Sequence, residues 1–384
     1  MIVESVNRRI IAWARAQSRI SIEDLALRMG REPSEIAEWE NENGKTFPSL
    51  TCLEDLAYKH LKVPLAVFFF PEPPKIEKAE TKLRRLPDCE LIRFSPDTFA
   101  KIRLGMGYQN SLKELTADVQ PRKRIFDDIS TVGLTAKELA RKAREYIGIT
   151  ISKQLSYRSP EKAVKSFRFM FEEAGIFTFK NSFDDRFVSG FSLMDDEYPI
   201  IMVNNSNAFS RQLFTLVHEL GHILYGINGV TDIDESYFDE MPDDERALEI
   251  KCNKFAAEIL VPEEYFKKDL QGLRVVDDDI VAVIAEKYSV SREVILRRML
   301  DHAKVTPEYY NKKSQEWNND YRRAKKGDKP RGDYYRTQLA YMGEGFAALA
   351  FHNYYSKRIS RVDLAAHLNV KARNVNKLES YLRR

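Results

Sequence analysis

FTLVHELGHILYG, Phe214 to Gly226, decides how this chain reads. Leu213, Leu216, Val217, Leu220, Ile223 and Leu224 recur at helical spacing, and Gly226 supplies a stop. The spacing predicts a buried helix, yet its centre holds His218, Glu219 and His222. Burying polar side chains costs free energy unless something satisfies them. His218 and His222 lie four residues apart, so a helix projects both imidazoles from one face. H-E-x-x-H is a zinc-ligand pattern of peptide-hydrolysing sites, with the glutamate as general base. The bland alternative is a pair of core histidines, each satisfied by a carbonyl. The apolar helix speaks against it, because a dry wall suits a catalytic metal.

A catalytic zinc takes three protein ligands and keeps one position open for water, so a third ligand is sought downstream. ERALEIKCNKFAAEILVP, Glu245 to Pro262, reads as a second helix stopped by its proline. Glu249 is the preferred ligand, with Asn253 one turn on to orient a ligand from behind. Cys252 is a good zinc ligand by chemistry but more often a core residue, and Glu245 suits a solvated first-turn acid. Around such a metal, Glu219 would take a proton from the attacking water and deliver it to the leaving amine. Tyr265 is a candidate for a second oxyanion donor.

Working outward, GIFTFK, FVSGFSL and YPIIMVNN between residues 175 and 205 read as three strands. YPIIMVNN reads equally as an edge that pairs with an extended substrate or as a plain core strand. The acidic loop Asp232 to Glu245 is long for a connection between ligand helices, which suggests a lid and a gated site. Residues 1–70 read as short helices, and FFFPEPPKIEKAE, Phe68 to Glu80, as a boundary. Residues 71–174 read as a linker and a helical segment, 175–300 as the metal domain, and 301–384 as a basic helical region. Its helices are expected to break in the polar stretch Lys312 to Asp333.

The chain has 384 residues, 43% hydrophobic and 31% charged, which argues for several packed domains and against disorder. Its longest apolar run, Val63 to Phe70, is too short for a bilayer, and the N-terminus lacks a signal-peptide core. Cys52, Cys89 and Cys252 are odd in number and scattered, so a disulfide framework is not expected. These features together point to a cytoplasmic protein. The net charge is only +3, but residues 303–384 carry 18 Lys and Arg against 8 Asp and Glu, whereas residues 1–70 carry 9 against 10. The basic end is the better partner for an anionic surface.

SIEDLALRMGREPSEIAEWE from Ser21 aligns without gaps to SRVDLAAHLNVKARNVNKLE from Ser360. Ser21/Ser360, Asp24/Asp363, Leu25/Leu364, Ala26/Ala365 and Glu40/Glu379 are identical, and Gly30/Asn369 are the two types that best tolerate a left-handed turn. Each copy reads as a helix-turn-helix unit, the second one lying in the basic C-terminal region. The first carries Glu32, Glu35, Glu38, Glu40 and Glu42 against Arg31 alone; the second carries Lys371, Arg373, Lys377, Arg383 and Arg384, with Asn374 and Asn376. DNA contact is therefore expected from Lys371, Arg373, Asn374 and Lys377. The competing reading places it on the N-terminal copy through Arg8, Arg9, Arg15 and Arg19.

GFSL, YPIIMVNN, RQLFTLVHELGHILYG and ExxxNKFAAEILVP together resemble the ImmA/IrrE metallopeptidase family, over roughly residues 175–265. Residues 1–74, down to KVPLAVFFFPEPP, resemble the XRE-type helix-turn-helix that precedes this peptidase in longer members. The resemblance implies an α+β, mostly helical chain: an N-terminal bundle, a zincin-like domain with a small sheet, and further helices. It implies Zn2+ on His218, His222 and Glu249, catalysis by Glu219, and a regulatory protein, often a repressor, as substrate. The alternative it leaves is a transcriptional regulator or antitoxin with a toxin partner, in which the zinc domain senses or binds. A homodimer is compatible with either reading.

Overall fold

The computed structural model describes residues 2–18, 20–61, 63–74, 94–117, 124–185, 187–232, 241–273, 275–324 and 332–382. Arg19, Cys89, Arg383, Arg384, residues 75–80 of the expected boundary and residues 233–240 of the acidic loop lie outside them. The fold is α+β and mostly helical, in two compact units: Met1–Met106 with Phe183–Arg186, and Gly107–Ser182 with Phe187–Arg384.

In the first unit, helices α1 (Arg8–Gln17), α2 (Ile22–Met29), α3 (Pro33–Glu40) and α4 (Leu50–Asp55) bury Ile10, Ile11, Leu25, Ile36, Trp39 and Leu53. Ser21 accepts from Asp24 N at the start of α2. Gly30 ends that helix at φ 64°, which a side chain would strain. Arginine here is structural. Arg8 is buried and donates to the carbonyls of Glu38 (2.6 Å), Gly44 (2.9 Å) and Thr46 (2.7 Å). Arg15 grips Glu40 through Nε and Nη2 at 2.6 and 2.8 Å.

The second unit is built on a four-stranded sheet of β1 (Phe177–Asn181), β2 (Val188–Leu193), β3 (Ile200–Asn204) and β4 (Gly229–Asp232), in the order β1-β3-β2-β4. β3 pairs parallel with β1 and antiparallel with β2, so it is internal. This corrects the reading of YPIIMVNN as an edge: every residue from Ile200 to Asn204 is buried, which is what a two-sided strand requires. The fourth strand takes the start of the expected acidic loop. Its brevity and its Asn228-Gly229 opening hid it from periodicity.

Helices α5 (Pro96–Thr116), α6 (Ala136–Ile147), α7 (Pro160–Glu173), α8 (Phe209–Leu224), α9 (Asp243–Leu260), α10 (Glu263–Asp269), α11 (Asp278–Tyr288) and α12 (Arg292–Asp301) follow in chain order. α7, α8 and α9 share one core, in which Phe167, Phe171, Leu216, Leu220, Phe255 and Ile259 are buried. Helix α13 (Pro307–Ala324) runs through most of the polar stretch expected to break helices. There Tyr310 is buried and Trp317 packs under Arg292, so a few apolar anchors hold a polar helix in place.

The C-terminal helices α14 (Tyr334–Met342), α15 (Glu344–Tyr355), α16 (Arg361–His367) and α17 (Val375–Leu382) are joined to this body. Tyr108 stacks on Phe179 of β1 at 4.0 Å, and Phe346 of α15 meets both rings edge-on. Arg168 donates to the Ala340 carbonyl at 2.7 Å, and Asn353 Nδ2 to that of Leu115 at 2.9 Å. α14 packs on both β1 and α17. The alignment of the two turn segments extends to their backbones: Ser360 accepts from Asp363 N, Asn369 has φ 51°, and Leu364, Ala365, Val375 and Leu378 are buried.

Candidate metal centre

The polar residues at the centre of α8 point into one cluster. His218 and His222 are each 1% exposed and Glu219 is fully buried. α9 approaches closely because Gly221 lacks a side chain: a Cβ there would stand 3.2 Å from Cys252 Sγ and from Phe255 Cδ1. Glycine inside a helix costs about 0.5–1 kcal/mol relative to alanine, and the close approach offsets it. The approach brings Glu249 onto the histidines. Its Oε1 lies 2.9 Å from His222 Nε2 and its Oε2 3.1 Å from His218 Nε2, while the two Nε2 atoms are 2.9 Å apart.

Asn253 Oδ1 lies 3.0 Å from His218 Nδ1. A carbonyl oxygen only accepts, so Nδ1 carries the proton and Nε2 presents a lone pair. A lone pair therefore faces carboxylate oxygens and a second imidazole, an arrangement that calls for a cation. Ligands of a tetrahedral zinc at ~2.0–2.1 Å stand about 3.3 Å apart, close to the separations here. Burial works against the Glu249 carboxylate, but the two imidazoles hold its pKa well below the usual range. Burial likewise opposes a charge on His222, yet Cys252 and Glu249 hold its pKa well above the ordinary value. Among the described residues, His218, His222 and Glu249 form the group able to hold a metal ion, and their donors fit one.

The rival ligands fall elsewhere. Cys252 is buried beside the His222 ring, and burial pushes its thiol up. Glu245 is in the first turn of α9 as expected, but it is not freely solvated. Its Oε2 is buried without a hydrogen-bond partner, and burial with neighbouring Asp244 and Glu249 raises its pKa. Tyr265 packs against the core near Arg144.

Two contributors escaped the sequence reading. Ser192 Oγ donates to Glu219 Oε2 at 2.7 Å, and Gly229 N–H donates to Ser192 Oγ at 3.1 Å. The available signal for Ser192 was a hydroxyl in a short buried strand, shared with Ser189, and such a group needs a partner once buried. The residues expected to touch DNA lie apart from the metal group. Lys371, Arg373 and Lys377 are exposed and Asn374 is half-buried, with Lys377 Nζ over the Tyr335 ring at 5.1 Å.

Residues 171–300 match the Peptidase_M78 family, described as an IrrE N-terminal-like domain. That range contains the sheet, α8, α9 and the three converging residues. The chain is also similar to the radiation response metalloprotease IrrE of Deinococcus radiodurans, at 39% identity over 79 residues. The similarity covers 20% of this chain and 24% of that relative's length. A metallopeptidase-like domain is thus the class that sequence similarity and site geometry share. No helix among the described residues is long and apolar enough to cross a membrane.

Proposed function

We propose that the chain is a zinc-dependent endopeptidase joined to a DNA-contacting region and acting on a regulatory protein. The observation that carries this reading is the convergence of His218 Nε2, His222 Nε2 and the Glu249 carboxylate beside the buried Glu219. Two imidazoles and one carboxylate are a catalytic zinc set with a position to spare. When bound, zinc lowers the pKa of water towards ~7 and polarises the carbonyl under attack. Asn253 fixes the His218 tautomer. Glu219 acts as base and then as acid, and its burial excludes competing water.

β4 is the outermost strand on the β2 side of the sheet and lies against the cluster. It offers backbone groups for an extended peptide, in place of β3. For DNA, the exposed Lys371, Arg373 and Lys377, with Asn374, favour the C-terminal copy of the helix-turn-helix pattern. The N-terminal alternative is weakened because Arg8 and Arg15 are committed within their own unit. We read that first copy as a protein-contact or dimerisation surface.

The test compares the proteins of cells carrying the wild type with those of cells carrying Glu219→Gln. A protein shortened only in the wild-type cells supports the endopeptidase. Identical protein patterns under conditions where the protein is active in the cell favour the sensing or antitoxin role.

A further inference from the structure

β2 runs beneath α8, and the two elements keep step. A Cβ on Gly190 would stand 2.6 Å from Thr215 Cγ2, and two residues on, Ser192 Oγ reaches Glu219 Oε2 at 2.7 Å. Four residues of helix and two of strand each advance about 6–7 Å, so the contact of Gly190 with Thr215 sets that of Ser192 with Glu219. The hydroxyl is held from its other side as well, since Gly229 of β4 pairs with Ser192 in register and donates its N–H to Oγ at 3.1 Å. A hydroxyl has one proton to give. With the Gly229 N–H on its oxygen, that proton is committed to Glu219. Gly229 must be glycine for this, because a Cβ there would stand 2.4 Å from His222 Cγ and 2.8 Å from Glu219 Oε2.

We propose that Ser192 is a positioning residue for Glu219, fixing the rotation of the carboxylate through Oε2. The inference rests on the reading of Glu219 as the general base beside a metal. A purely structural serine would satisfy buried backbone and have no effect that depends on Glu219.

Cobalt is the probe, bound to the full-length protein in place of zinc, with visible absorption followed against pH and melting followed in parallel. The proteins compared are wild type, Ser192→Ala, Ser192→Thr, Glu219→Gln and the Ser192→Ala/Glu219→Gln double variant. The expected result is that Ser192→Ala takes up cobalt and moves the midpoint of the spectral transition up by about one pH unit, the size expected on removing a hydrogen bond to a charged group. Ser192→Thr, which keeps the hydroxyl, moves it back, and the double variant matches Glu219→Gln alone. If Ser192→Ala fails to fold, Ser192→Cys keeps the volume with a weak donor and is expected to shift the midpoint the same way. An equal shift in the Glu219→Gln background, or none in the wild-type background, overturns the inference and leaves the metal reading intact. A wild type that binds no cobalt, or a spectrum indifferent to Glu219→Gln, overturns the metal-and-base reading and the inference with it.

Discussion

The cluster on α8 and the basic face around α17 both gather ionisable side chains, and they hold them in opposite ways. His218, His222 and Glu249 turn inward until their ligand atoms touch. Lys371, Arg373 and Lys377 stand in solvent. A buried polar group must find a partner, so the first arrangement has few chemical meanings. An exposed charge is already satisfied by water, so the second owes its meaning to whatever it meets. The N-terminal turn sharpens the contrast. It repeats the C-terminal backbone, capped by Ser21 as the other is by Ser360 and turned at Gly30 as the other is at Asn369. Arg8 and Arg15 of the preceding helix, however, are spent on Glu38, Gly44, Thr46 and Glu40 within the same unit. A shared backbone does not carry a shared function; the side chains on its surface do.

The largest effect should come from the buried side of this comparison. Glu219→Gln is expected to keep the metal and slow peptide cleavage about 10²–10⁴-fold, measured on whichever protein the wild type shortens. Next in size, His218→Ala or His222→Ala should abolish metal binding. Each should also erase the stabilisation that a thousandfold excess of metal over its dissociation constant gives the wild type, about 4 kcal/mol, read from unfolding with and without metal. Metal binding should weaken as pH falls. Protons compete with the metal for His222, whose pKa is raised, so the loss begins above the ordinary histidine range. Metal affinity measured against pH checks the sign.

On the exposed side the effects are smaller and depend on salt. Replacing Lys371, Arg373 and Lys377 by alanine should lower the slope of log affinity for DNA against log salt by about 0.9 for each phosphate that is no longer neutralised. These substitutions leave metal content unchanged. Arg15→Ala should cost stability and leave the slope alone. A slope that follows Arg15 and ignores the C-terminal triplet would break the contrast between the two copies. The smallest effect is expected at the turns, where Gly30→Ala should cost about 1 kcal/mol and Asn369→Gly next to nothing, read from thermal unfolding.

The sequence was most legible where burial restricted the options. H-E-x-x-H on an apolar helix leads to His218 and His222; zinc-ligand preference on the following helix, with the family resemblance, leads to Glu249, and i+4 spacing from there to Asn253. Ser192 and Gly229 were hidden because they act across strands, and a hydrogen bond between β2, β4 and α8 leaves no periodic trace. β3 was left open between edge and core because an edge strand and a central strand of four apolar residues have the same local pattern. Its place inside the sheet is set by pairing with β1 on one side and β2 on the other. Helix α13 was missed because its polar composition outweighed the anchoring by Tyr310 and Trp317.

If α8 and α9 together build one metal site, elemental analysis of the purified protein shows it. About one zinc per chain is expected in the wild type, the same in Cys252→Ala, and none in Glu249→Ala. Full zinc in Glu249→Ala, or a wild type that holds no metal after growth with zinc, would contradict it.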